Sequence, residues 1–160
     1  EANPTIGMEY GKVYKFVQAD RSNWYHPLGF AYFADGAHDG VDELEPVIAP
    51  PGATDASCAP EAVAQCPAPM YFKDGTYVGE YSNIPAVANI TTGNGNFGLD
   101  DYEPLFFHPP ADWTSYGDFS IKLIFPEFDG FKGDIFYFCH IHQFMTGRIK
   151  FLKNDVAVMP

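Results

Sequence analysis

A chain of 160 residues with 46% hydrophobic and 17% aromatic content is too apolar to be disordered and long enough to bury one real core without metals or staples. No apolar run approaches the ~20 residues that cross a bilayer, so no membrane span is expected in this chain. The formal charge of −12 argues against nucleic acid, whose phosphates need Lys and Arg; an acidic surface keeps a protein soluble and would steer it toward a basic partner.

Residues 11–19 are β-branched and aromatic and read as a strand, followed by the turn cluster Asp20-Arg21-Ser22-Asn23. The aromatic run Trp24–Phe33 contains Pro27 and Gly29, which makes it an edge or bulged strand. His26 precedes Pro27 and is thereby pushed toward extended backbone.

From Ala34 to Pro110 the pattern weakens into a long, loop-rich insertion. Asp35–Gly40 is turn chemistry, and the acidic cluster Asp39–Glu45 reads as a solvated loop. Pro46–Pro69 is Pro- and Ala-rich around Cys58 and Cys66, with a short helix expected over Ala59–Gln65. Tyr71–Val78 reads as a hairpin about Asp74-Gly75. A connection this long is unusual without function, so short strands and helical turns are expected inside it.

Alternation returns at Phe119–Phe125; Ile135–Phe138 is the expected penultimate strand and Arg148–Leu152 the last. Short aromatic strands with Gly/Pro turns, and no long 3.6-residue period, predict a single all-β domain over residues 1–160. Its expected architecture is a β-sandwich with Greek-key connections, interrupted by the insertion at about 34–110.

Three cysteines divide unevenly: Cys58 and Cys66 share one loop and can close a small disulfide, while Cys139 stands alone. That arithmetic suits an oxidising compartment. The glycosylation triplet Asn89-Ile90-Thr91 leans the same way, toward a secreted or periplasm-like protein. No charged-then-apolar leader opens the chain, so any signal peptide is expected to have been removed or never to have been part of this sequence.

Cys139, His140, His142 and Met145 put a thiol, two imidazoles and a thioether within one short stretch. Such a soft N/S set selects copper or zinc over magnesium or calcium, and trigonal His2Cys with a weak axial Met is electron-transfer copper geometry. A Cys among aromatics is often only a small buried hydrophobe and a Met core filler, but four soft donors this close are rarely accidental. Cys139, His142 and Met145 supply three of the four groups; the other imidazole must come from elsewhere.

Cys139-x-x-His142-x-x-Met145-x-Gly147-x-Ile149-x-Phe151 resembles the ligand loop of the small blue copper proteins, the cupredoxins, with the spacing of the amicyanins among them. His26-Pro27-Leu28-Gly29-Phe30 looks like the upstream His-Pro element of multicopper oxidases. The resemblance covers about 35 residues. It implies a cupredoxin-like Greek-key sandwich holding one type 1 copper by His26, Cys139 and His142, with Met145 axial. A preformed site of that kind need not rearrange between Cu(I) and Cu(II).

Two departures stand out. Where cupredoxins usually have Asn after the first His, Pro27 has no N–H to offer the ligand sulfur. Ile141, where Pro is often found, keeps an N–H that is expected to donate to the Cys139 sulfur and tune the metal's potential.

His108, which also precedes a proline, is the rival to His26; His38 sits in a polar turn and is expected to be solvated. His140 is expected to be a surface residue pointing away from copper, with a second metal at His140 and His38 or His108 as the alternative. The expected function is a monomeric one-electron carrier for a redox protein partner. The alternatives are a copper-dependent oxidoreductase, a copper-binding or storage module, or a metal-free adhesive sandwich. No phosphate loop, Ser–His–Asp arrangement or catalytic carboxylate pair is evident.

Overall fold

A computed structural model describes residues 3–35, 38, 43–45, 48–54, 67–79, 98–154 and 156–157. The expected helix over Ala59–Gln65, the Cys58–Cys66 pairing and the Asn89 triplet lie outside these residues.

The chain is built mostly of β-strands arranged in two sheets. The first comprises β1 (Ile6–Glu9), β3 (Leu28–Ala31), β7 (Ile135–Cys139), β8 (Thr146–Lys153) and β9 (Val156–Ala157). Its order is β1-β8-β7-β3, with β9 also on β8. The second comprises β2 (Val13–Val17), β4 (Met70–Lys73), β5 (Thr76–Tyr77) and β6 (Phe119–Ile124), in the order β2-β6-β4-β5.

Alternation decides which face of each strand turns inward. In β8, Gly147, Ile149 and Phe151 are buried while Arg148 is exposed; in β2, Tyr14 and Phe16 point in while Val13, Lys15 and Val17 do not. Met8, Phe30, Ile135, Ile149 and Phe151 from the first sheet share one core with Tyr71, Phe119, Ile121 and Leu123 from the second. Each buried aromatic or branched side chain contributes on the order of 1.5–3 kcal/mol. The rings interlock as pairs, with Trp113 stacked on Phe119 at 4.5 Å and Phe125 tilted on Phe151 at 4.5 Å.

The expected edge strand is β3, which starts immediately after Pro27 and ends the first sheet's order. The expected hairpin is β4–β5, with Asp74 and Gly75 at φ 51° and 76°. Residues 67–79 therefore supply an interior strand of the second sheet, so part of the stretch read as a loop-rich insertion is integral to the fold. Helical turns follow, at α1 (Leu99–Tyr102), a 3-10 segment (Glu103–Phe107) and α2 (Trp113–Tyr116).

Two strands depart from the sequence reading. β8 is not last, since β9 folds back onto it, and β1 was not anticipated. β1 pairs in parallel with β8, Ile6 opposite Ile149, a partner far along the chain that local alternation cannot signal. None of the described helices is long and apolar enough to cross a membrane.

Candidate metal centre

The antiparallel pairing of β3 with β7 sets the site. Leu28 lies opposite Cys139, so His26, two residues before Leu28, runs alongside the end of β7. The backbone ladder continues past the strands, with the His140 N–H donating to the Pro27 carbonyl at 2.9 Å. The loop from β7 to β8 then turns His142 back toward the same point. It is closed by the Cys139 N–H donating to the Met145 carbonyl at 3.0 Å.

Three donor atoms converge. Cys139 Sγ is 3.5 Å from His26 Nδ1 and 3.5 Å from His142 Nδ1, and the two Nδ1 atoms are 3.1 Å apart. Among the described residues this is the group of His, Cys, Asp and Glu side chains placed to hold a metal ion. The fit is good: a tetrahedral ion with bonds of about 2.0–2.1 Å to imidazole and ~2.3 Å to thiolate separates its donors by roughly 3.3–3.6 Å. Cys139 is buried and both imidazoles are half-buried. Met145, more exposed, lines a cavity of about 230 Å³ together with His26, Leu28, Tyr137 and Cys139.

The two shifted groups pull in opposite directions, His26 toward the neutral ligand form and Cys139 toward the protonated thiol. Burial lowers the His26 pKa, helped by neighbouring His142, so the ring is readily neutral. Burial raises the Cys139 thiol, while the backbone N–H groups of His142 and Ile141 pull it down and Asp35 and Glu103 raise it. The His142 N–H lies 3.4 Å from the sulfur. The N–H expected from Ile141 thus acts beside that of His142.

The loop is held from outside. Phe144, in the left-handed region at φ 62°, donates its N–H to Asp35 Oδ2 at 2.8 Å. The Asp35 N–H donates in turn to Thr146 Oγ1 at 3.3 Å, and that hydroxyl donates to the Tyr137 carbonyl at 3.1 Å. Gly147 faces Tyr137 across the β7–β8 pair, and any Cβ there would overlap the Tyr137 ring.

The other histidines lie outside this group. His108 does not reach the cluster; its ring stacks on Tyr116 at 3.8 Å, and its carbonyl accepts from Trp24 Nε1 at 2.7 Å. His38 is half-buried rather than solvated, and its Nε2–H donates to the Cys139 carbonyl at 2.9 Å.

His140 is no free surface residue. Its Nδ1 meets the Glu103 carboxylate and its Nε2 lies 3.7 Å from Glu43. Its pKa is raised to about 9 by the two carboxylates, Glu43 first and Glu103 adding, with burial opposing. Glu103 is the nearer partner and Glu43 the more buried, at 27% and 11% side-chain exposure. The carboxylates sit on opposite ring nitrogens, so His140, His38 and His108 do not converge on a second ion.

Glu43 also revises the reading of the acidic cluster as solvated. Leu44 is fully buried, and its N–H donates to the Phe30 carbonyl at 2.8 Å. A Cβ on Gly29 would lie 2.9 Å from the Phe138 ring and 3.0 Å from Glu43 Oε1, so glycine lets both side chains pack close to this strand. The sequence reading missed Gln18, Asp35, Glu43 and Glu103; apart from Gly29 and the acidic run, nothing local signals them.

No protein-family model, no curated protein and no solved structure matches this chain.

Proposed function

We propose that this chain is a one-electron carrier, a cupredoxin-like Greek-key sandwich in which His26, Cys139 and His142 would hold a single type 1 copper, with Met145 as a fourth, weaker donor. The observation that carries this reading is the donor triangle, two imidazole nitrogens and one thiolate sulfur within 3.1–3.5 Å of one another. Soft thiolate and thioether donors beside imidazole favour copper. When bound, copper would supply a one-electron Cu(I)/Cu(II) couple. The chain's own contribution is to hold both imidazoles and the sulfur on sheet-anchored backbone, so that little needs to move when the charge changes. The N–H groups beside the sulfur stabilise its negative charge.

The net charge of −12 fits a basic redox protein as partner. A Cys58–Cys66 pair beside a separate Cys139 would fit an oxidising compartment.

Copper(II) titration of the metal-free protein tests the proposal. One equivalent should produce an intense thiolate-to-copper absorption band, and Cys139→Ser should abolish it. A weak spectrum of N/O type, or no uptake, would overturn the carrier.

A second reading, a copper oxidoreductase, is favoured by the cavity beside the donors, lined also by Asn3, Ser22 and Asn23. Azide added to the copper form distinguishes the two: a changed spectrum indicates an open coordination position.

A further inference from the structure

The His-Pro element poses a physical problem that its neighbours must solve. His26 stands outside any strand, and Pro27 cannot donate to a ladder. Yet the His26 Nδ1 must sit within a few ångströms of the Cys139 sulfur.

Gln18 lies across this gap. It directly follows β2 in the second sheet, where its N–H is fixed to the Phe119 carbonyl at 2.8 Å, and it is only 5% exposed. Its Nε2 donates to the His26 carbonyl at 2.7 Å, and its Oε1 accepts the Leu28 N–H at 3.1 Å. One side-chain amide thus grips the peptide groups on both sides of Pro27. The second Nε2 hydrogen reaches Asn23 Oδ1 at 3.4 Å, and the second Oε1 lone pair takes the Tyr102 hydroxyl at 3.0 Å. A carbonyl only accepts and a backbone N–H only donates, so these partners fix which end of the amide points where. All four of its hydrogen-bonding capacities are used.

We infer that Gln18 is a positioning residue for the metal centre: by bridging the His26 carbonyl and the Leu28 N–H from the opposite sheet, it sets where the His26 imidazole stands relative to Cys139. The inference rests on the metal-centre reading for its consequence but not for its geometry. Glutamate in its place would present an oxygen to the His26 carbonyl, and methionine would fill the space while making neither bond. Tyr102→Phe removes one partner of Gln18 without touching either peptide group, which makes it the control.

The test compares wild type, Gln18→Met and Tyr102→Phe, first without metal and then with copper. In the metal-free protein, Gln18→Met should speed hydrogen exchange of the Leu28 amide and shift the His26 imidazole resonances, while Tyr102→Phe should leave the His26 resonances in place. With copper, Gln18→Met should weaken binding by roughly ten- to hundredfold, the range for lost support of a metal ligand, and move the charge-transfer band. Tyr102→Phe should keep the wild-type band even where it lowers the melting temperature as much.

If Gln18→Met keeps wild-type His26 resonances in the metal-free protein, the inference fails, whatever its melting temperature. A wild type that takes up no copper overturns the copper reading instead, and the metal-free comparison still decides whether Gln18 holds His26.

Discussion

The turn between β4 and β5 and the loop between β7 and β8 both reverse the chain within an antiparallel pair. The first is two residues long, and its shape comes from those residues: Asp74 and Gly75 adopt the positive φ values that let a tight turn follow the twist of its strands. The second carries His142 and Met145, and its shape is imposed from a distance. Asp35 takes the Phe144 N–H, the Pro27 carbonyl takes the His140 N–H, and Glu43 and Glu103 flank the His140 ring. A turn that only reverses the chain can be specified locally. A turn that must deliver an imidazole to within 3.5 Å of a thiol draws its precision from the packed scaffold around it.

The largest effect should come from cutting an outside support. Asp35→Ala removes the carboxylate that accepts the Phe144 N–H and leaves alanine at φ 54°. Loss of a hydrogen bond to a charged acceptor, together with left-handed strain, costs about 2–4 kcal/mol. Urea unfolding should register that loss, and copper affinity should fall with it. Gly75→Ala is the matched change in the local turn. A Cβ there meets nothing within 4 Å, so the cost is backbone strain alone, about 1–2 kcal/mol. Copper binding should not change. If Asp35→Ala left copper affinity untouched, or Gly75→Ala altered it, the distinction between the turns would be lost.

The same distinction explains what could be read from the residues alone. β6, β7 and the β4–β5 hairpin announce themselves through alternation, an apolar aromatic run and an Asp-Gly pair, because their cause lies within a few residues. β1 does not, since its four residues are defined by parallel pairing with β8. Cys139 and His142 are legible because soft donors at this spacing form a pattern with a chemical reading of its own. Gln18, Asp35, Glu43 and Glu103 look like ordinary surface polar residues. Only the fold brings Gln18 to His26, or Glu103 to a histidine 37 residues away.

A smaller effect follows from protons. The His140 pKa stands at about 9, above the ordinary value of 6.5. The folded protein therefore binds this proton more tightly than the unfolded chain does. The stability it contributes is complete below pH 6.5 and is lost as pH rises through about 9. Metal-free wild type, measured by urea unfolding from pH 6 to 10, should lose stability over that window relative to His140→Gln. Equal pH dependence in both would show that the two carboxylates do not hold the ligand loop through this ring. Gly75→Ala, altered only in the local turn, should follow the wild-type pH curve with a constant offset.

The finest adjustment concerns the sulfur. The His142 and Ile141 N–H groups both lower the Cys139 pKa, which means that both stabilise negative charge on Sγ. In a copper centre, negative charge left on sulfur is charge not donated to the metal, and this favours the reduced ion and raises the potential. Ile141→Pro deletes one of the two donors. A hydrogen bond worth about 0.5–1.5 kcal/mol corresponds to roughly 20–60 mV in a one-electron couple, so voltammetry should find the potential lower by that amount. An unchanged potential would assign the effect to the His142 N–H alone, the donor that lies 3.4 Å from the sulfur. Tuning of the centre would then reside in the backbone of the ligand itself, and Ile141 would only help the loop to turn.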